Sequence, residues 1–228
     1  MFFDAGETLV HPVPSFPELF ARIVREAGHD RDPADVVEAS RAVMARFSEA
    51  ARDGDLWTTT PERSREFWLG VYERMLRRLD LPSTDGLGDA LYEGFTDLDN
   101  YAAFDDVPAV LDELTDGGLR LGIVSNYEGW LEDLLAALGV RDRFPVRVIS
   151  GLEGVEKPDP RIYELALGRV GLAAADVAFV GDNPEFDVDP PAALGMLPVL
   201  IDRRGRHPDH DGPRITDLHA LTAVLEVA

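Results

Sequence analysis

Over the second half of the chain, short apolar runs bounded by polar or glycine residues alternate with segments of helical spacing. Four runs stand out, at 119–124, 146–149, 177–180 and 197–201. Each has the length of a strand, and the segments between them are long enough for a crossover helix, so the pattern predicts a parallel sheet covered by helices. A fifth strand is expected at the very start, where Met1, Phe2 and Phe3 precede Asp4.

From 15 to about 97 the pattern changes. Apolar residues recur at helical spacing, as in Phe16, Leu19, Phe20, Ile23 and Val24 and again in Phe67, Val71, Met75 and Leu76, and no strand pattern interrupts them. The expected class is therefore α/β: a Rossmann-like, doubly wound parallel sheet formed by 1–14 and 100–228, with a helical domain, 15–99, inserted into it. Pro12, Pro14 and the stretch 99–106 are the expected hinges. Trp57, beside Thr58, Thr59 and Thr60, reads as core of the insertion, and Arg203, Arg204, Arg206, His207 and His210 as a solvated loop after the last strand.

A chain of 228 residues, 45% of them hydrophobic, accommodates both lobes, and no apolar run approaches the length of a membrane span. Its 22 basic and 43 acidic side chains give a net charge of −21, which disfavours nucleic acid and anionic membranes as partners. With no cysteine, thiol nucleophiles and thiolate-bound zinc are excluded. The absence of cysteine, together with an N-terminal MFFDAGETLV that does not read as a signal peptide, gives a cytoplasmic expectation. The sequence leaves the oligomeric state open.

Chemistry gathers at the carboxyl ends of the expected strands, the edge where open α/β sheets bind ligands. Asp4 follows the first strand, Ser125 and Asn126 the second, Lys157 the third, and Asp182 with Asp187 the fourth. Three carboxylates share a small site only if a cation neutralises them or one takes a proton. Two aspartates and a backbone carbonyl suit magnesium, which keeps several waters, better than an all-protein calcium cage. Lys157 would balance the remaining charge and hold an anionic group of a substrate.

Phe3-Asp4-Ala5-Gly6-Glu7-Thr8-Leu9 resembles the first motif of the haloacid dehalogenase superfamily. Val124-Ser125-Asn126 resembles its second, Lys157-Pro158 its third, and Val180-Gly181-Asp182-Asn183 through Asp187 to Met196 its fourth. Each pattern is short, but all four stand in the family's order behind expected strands. The helical insertion between the first two motifs resembles the cap of the subfamily that holds dehalogenases, small phosphatases and phosphonatases.

The resemblance implies an Mg2+-dependent hydrolase of a small phosphorylated metabolite, with Asp4 as the nucleophile that forms an aspartyl-phosphate. Thr8, Ser125, Asn126 and Lys157 would bind the substrate, and Lys157 would also offset charge in the reaction. Asp4, Asp182 and the Gly6 backbone would hold the metal, with Asp187 orienting a metal-bound water or the lysine. The chain departs from the family's phosphatases in one place. They carry a second aspartate two residues after the nucleophile to protonate the leaving alcohol, and this chain has Gly6 there. Glu7 and His11 are the candidates to replace it.

Two other readings accommodate Gly6. A metal-free 2-haloacid dehalogenase expels halide and needs no leaving-group acid, although the family's dehalogenases carry a serine- and asparagine-containing sequence where this chain has Gly181-Asp182. The second is a member with little turnover that binds a phosphorylated ligand or another protein. Phosphonatase chemistry is disfavoured, because the imine-forming lysine that it needs in the cap has no counterpart in 15–97.

Overall fold

The computed structural model describes residues 1–52, 57–83 and 86–225. They form two compact units, one of Met1–Val10 with Ala103–Ala228 and the other of His11–Ala102. The first carries a six-stranded sheet whose paired strands all run parallel. Its strands are β1 (Phe2–Phe3), β4 (Gly122–Ser125), β5 (Val146–Ile149), β6 (Ala178–Gly181), β7 (Leu197–Ile201) and β8 (Arg214–Ile215). The remaining two, β2 (Val10–Pro12) and β3 (Tyr101–Ala103), pair with each other where the chain passes between the units.

In the large sheet the strand order is β5-β4-β1-β6-β7-β8. Short as it is, β1 lies at the centre, with Phe3 in register with Ile123 of β4 on one side and Val180 of β6 on the other. The central strands are covered on both faces and read as apolar runs, with Phe2, Phe3, Val124, Phe179 and Val180 all buried, whereas β5 carries the half-buried Arg147. From β1 the chain winds outward through β4 and β5, then crosses back to β6 and winds the other way. That reversal opens a crevice between the carboxyl ends of β1 and β6, the place where doubly wound sheets bind ligands.

Among its described residues the α-helices are α5 (Val107–Asp116), α6 (Leu131–Ala137), α7 (Ser150–Glu153), α8 (Pro160–Val170), α9 (Asp189–Ala193) and α10 (Leu221–Leu225). Proline opens α8, and the Asp159 side chain caps it by accepting from the Arg161 amide at 2.9 Å. Ile162, Tyr163 and Ala166 of α8 pack on Phe2, Val124, Val148 and Phe179 of the sheet. Burying a side chain such as Phe179 fully contributes about 1.5–3 kcal/mol relative to leaving it in water.

The second unit is helical, with α1 (Phe16–Glu26), α2 (Pro33–Arg52), α3 (Pro61–Arg78) and α4 (Leu87–Thr96). Leu19, Phe20, Ile23 and Val24 of α1 meet Val71, Tyr72, Met75 and Leu76 of α3 and Leu91 and Phe95 of α4 in one core. Trp57 is buried in this unit and stacks on Phe67 with ring centroids 5.2 Å apart. Thr60 caps α3 by accepting from the Arg63 amide. Among the described residues, no helix is long and apolar enough to cross a membrane.

Two features of the sheet differ from the sequence reading. The run 197–201 is not the last strand, because β8 pairs beside it; two residues with only Ile215 buried leave no apolar run to recognise. The loop between β7 and β8 is not simply solvated either. The Arg203 side chain is 11% exposed and is held by partners distant in the sequence.

Candidate active site

The carboxyl edge of the sheet brings Asp4, Ser125, Lys157, Asp182 and Asp187 together. The Asp4 amide donates to the Val180 carbonyl at 2.8 Å, which continues the β1–β6 pairing by one residue and fixes the aspartate at the crevice. Its Oδ1 accepts from the Ser125 hydroxyl at 2.8 Å and from Lys157 Nζ at 2.7 Å. The same ammonium donates to Asp187 Oδ1 at 2.6 Å.

Lys157 is the one lysine in the sequence, every other Lys or Arg position being arginine. A compact ammonium fits between two buried carboxylates where a planar guanidinium does not. Burial would favour the neutral amine, but Asp187 and Asp4 outweigh it and hold the group charged, with its pKa raised. Asn126 braces this lysine rather than facing outward: its amide nitrogen donates to the Lys157 carbonyl at 2.8 Å and its oxygen accepts from the Lys157 amide at 2.7 Å.

Asp187 is carried by a wide helical turn, Pro184–Val188, of the kind that recurs at functional sites. Three contacts hold that turn. The Asn183 side chain accepts from the Glu185 amide, the Tyr163 hydroxyl donates to the Phe186 carbonyl, and Asp187 Oδ2 accepts from the Asn183 amide at 3.0 Å.

Close approach of Asp187 to the end of β6 requires Gly181, since a Cβ there would lie 2.5 Å from Asp187 Cβ and closer still to its carboxyl. Gly181→Ala should therefore cost about 1–3 kcal/mol, the usual penalty of overpacking. Urea denaturation followed by circular dichroism checks this. Unchanged stability would mean that the turn yields freely.

Ligand oxygens of Asp4, Asp182 and Asp187 lie within 4.8 Å of one another. No hydrogen bond from a described residue reaches the Asp182 carboxylate. Burial and the neighbouring charges of Asp187 and Asp4 push its pKa well above the ordinary value. Burial likewise raises Asp187 to about 6 in spite of Lys157. Three carboxylates set against one ammonium leave an uncompensated negative charge, and an all-oxygen donor set is what a hard divalent cation prefers. No described residue donates to the Gly6 carbonyl in the turn that follows Asp4. These residues fit magnesium.

Gly6 belongs to a tight turn between Asp4 and β2. Leu9 and Val10 amides both donate to the Ala5 carbonyl, and the Glu7 amide donates to that of Val10. A Cβ on Gly6 would meet nothing nearer than the Tyr127 ring, at 3.6 Å. Tyr127 is itself held by Ser150, whose hydroxyl accepts from its amide at 3.0 Å and donates to its carbonyl at 3.1 Å.

Glu7 has φ +55°, a left-handed conformation that costs a non-glycine residue roughly 1–2 kcal/mol. Its carboxylate pairs with Arg204, Nε and Nη2 lying 2.8 and 2.7 Å from Oε2. Thr8 is fully buried, and its Oγ1 has no hydrogen-bond partner among the described residues. The Thr8 carbonyl accepts from Arg203 Nε at 3.2 Å and Nη2 at 2.9 Å.

Arg203 is gripped on its other side by Asp106, with Nη1 and Nη2 2.8 and 2.9 Å from the two carboxylate oxygens, and its guanidinium lies 3.9 Å from the centroid of Phe104. Asp106 also accepts from the Leu218 amide at 2.8 Å. Burial opposes its charge, but Arg203 and that amide hold its pKa below the ordinary value. Arg203, Arg204 and Asp106 are the residues around this site that sequence reasoning missed. The signal available was weak, two adjacent arginines immediately after a strand. His11 lies in the helical unit, its Nδ1 2.9 Å from the Pro12 carbonyl.

Residues 1–195 match the haloacid dehalogenase-like hydrolase family. The chain is 30% identical over 218 residues to haloacid dehalogenase-like hydrolase domain-containing protein 3 of Danio rerio, covering 92% of this chain and 87% of that one. It is 27% identical to a phosphoserine phosphatase of Thermus thermophilus, with 97% and 96% covered. To (S)-2-haloacid dehalogenase 4A of Burkholderia cepacia it is 31% identical, with 78% of each covered. Among solved structures, the magnesium-bound HAD-hydrolase YfnB of Bacillus subtilis superposes with a TM-score of 0.78 at 16% identity, over 98% of this chain and 96% of that one.

Proposed function

The chain belongs to the haloacid dehalogenase-like hydrolases, and within that family we propose that it is a magnesium-dependent phosphatase acting on a small phosphorylated metabolite. The observation that carries this reading is the excess of carboxylate at the site. Asp4, Asp182 and Asp187 converge, Lys157 balances Asp4 and Asp187, and the Asp182 carboxylate accepts no hydrogen bond from a described residue. A phosphatase relative covering nearly the whole chain, and a structural neighbour crystallised with magnesium, support it.

In the reaction, Asp4 attacks phosphorus and the bond to the alcohol oxygen breaks, leaving an aspartyl-phosphate. The departing oxygen takes its proton from water, since position 6 offers no acid. A second water then attacks phosphorus, freeing Asp4 and inorganic phosphate and releasing a proton to solvent. Ser125, already 2.8 Å from Asp4, turns its hydroxyl to a phosphoryl oxygen, and Thr8 directs its Oγ1 to another. Lys157 offsets charge on both nucleophile and phosphoryl group, while Asp187 fixes that ammonium. Bound by Asp4, Asp182 and the Gly6 carbonyl, magnesium would supply charge neutralisation for the incoming phosphate. The helical unit would serve as the cap.

A second reading draws on Gly6 itself and on the dehalogenase relative: Asp4 would displace halide from a 2-haloacid, a reaction that needs no acid. One set of assays separates the two. Phosphate release across a panel of phosphorylated metabolites should require Mg2+, and halide release from 2-haloacids should be absent. Halide release without metal, and no phosphate release with it, would reverse the assignment.

Proton linkage gives a check that is independent of turnover. Asp187 at about 6 and the elevated Asp182 bind protons in the folded state that the unfolded chain has already lost, so without metal stability falls as pH rises from about 4 through 6. The carboxylates that would hold magnesium must lose those protons to do so, so the stabilising effect of the metal should grow with pH over the same range. At about a hundredfold excess over its Kd, Mg2+ should raise Tm by about 5–10 °C at pH 7.5, and by clearly less at pH 5. Scanning calorimetry measures both, and a shift that is equal at the two pH values would contradict the linkage.

A further inference from the structure

We propose that Arg203 and Arg204 are positioning residues that clamp the turn Gly6-Glu7-Thr8 and so hold the Gly6 carbonyl toward the cation. This rests on the reading of the site as a magnesium centre. Four observations converge on it.

The turn is gripped at two successive places from one loop. Arg203 holds the Thr8 carbonyl through two nitrogens, and Arg204 holds the Glu7 carboxylate through two more. The grip is anchored at its far end, because Arg203 is fixed by both oxygens of Asp106 and lies over the Phe104 ring, and Asp106 is tied to the Leu218 amide. The turn also carries a conformation that glutamate alone does not favour. Glu7 sits at φ +55°, where glycine is the ordinary choice, so the side chain at that position contributes something that glycine lacks. What it contributes is the acceptor for Arg204. Glu7, Arg204 and Asp182 line one cleft, so the latch stands beside a carboxylate of the metal site.

Function and mere packing predict different results. Arg204 is a positive charge beside an acidic site, and on charge alone Arg204→Gln would tighten magnesium binding. As a latch, its loss lets the turn relax and should weaken Mg2+ affinity about tenfold, at the lower end of what a supporting residue contributes to a metal site. Glu7→Gly removes the backbone strain together with the latch. Without metal its Tm should equal or exceed that of the wild type, while Mg2+ affinity falls by a similar factor. Because both variants break one contact, the double variant should bind Mg2+ no more weakly than either single one.

Isothermal calorimetry with Mg2+ alone on the full chain reads the affinity, calorimetric unfolding of the metal-free protein reads the fold, and steady-state assays should show kcat falling with KM unchanged at subsaturating Mg2+. If Arg204→Gln binds Mg2+ as tightly as the wild type or more tightly, the clamp is refuted while the magnesium reading stands. If the wild type itself binds no Mg2+, both fall together. A lower metal-free Tm in Glu7→Gly with unchanged Mg2+ affinity would reduce the contact to packing and refute its positioning role.

Discussion

Asp4→Asn should lose phosphate release by a factor on the order of a thousand or more, because the group that forms the covalent bond is gone, yet the protein should remain folded. The second half of that expectation follows from the geometry. Asparagine keeps an oxygen where Asp4 Oδ1 accepts from Ser125 and Lys157, so neither donor is orphaned. It also removes one of the three crowded carboxylates, and it is the one whose charge raises the pKa of both Asp182 and Asp187. In the absence of magnesium the variant should therefore be more stable than the wild type, and a gain of about 1 kcal/mol would appear as roughly 2–4 °C in Tm. Magnesium should in turn stabilise the variant less. Lost turnover, a raised metal-free Tm and a smaller Mg2+ shift together identify a residue whose charge serves chemistry at a cost in stability. Retained phosphate release would exclude Asp4 as the nucleophile. A lowered metal-free Tm would mean that Asp4 stabilises the fold through Lys157 more than it strains it.

The sheet was legible because its central strands are buried on both faces and so leave mainly apolar runs. Val146–Ile149 and Leu197–Ile201 fall where the pattern placed them, and Ala178–Gly181 is displaced by one residue. Parallel topology then does what spacing alone cannot. It carries Asp4, Ser125, Lys157, Asp182 and Asp187 to one edge, although they are spread over most of the chain. Asn126 shows the limit of that reasoning. Its place beside Ser125 was legible, but its two hydrogen bonds to the Lys157 backbone were not, because nothing local to Asn126 refers to residue 157.

Arg203 shows the same limit from the other direction. A run of arginines, histidines and glycine after a strand has the composition of a solvated loop, and the partners that bury Arg203 lie 97 and 195 residues away, at Asp106 and Thr8. β8 went unrecognised because two residues carry no periodicity. Glu7 is intermediate. Its identity as an acidic residue beside the gap at position 6 suggested proton transfer, whereas in the structure its carboxylate is taken up by Arg204, 197 residues away.

With Glu7 engaged elsewhere, the proton donor for the leaving alcohol is the point on which the strength of the activity turns, and Gly6→Asp addresses it directly. The substitution is sterically open: the nearest atom to a new Cβ is on the Tyr127 ring at 3.6 Å, an ordinary contact, and Gly6 is not in the left-handed region. A carboxyl group at this position would protonate the departing oxygen and then deprotonate the attacking water. General acid and base catalysis contributes about a hundred- to ten-thousand-fold, so turnover of alkyl phosphates should rise by at least about a hundredfold. Aryl phosphates whose leaving groups need no proton should gain far less, and that contrast distinguishes proton transfer from a general improvement of the site. A haloacid substrate should gain nothing, because halide leaves unprotonated. An equal gain on alkyl and aryl phosphates would show that the new carboxylate acts through the metal or the fold. No gain on either would show that another group already supplies the proton, and the mechanism with water as the donor would have to be abandoned.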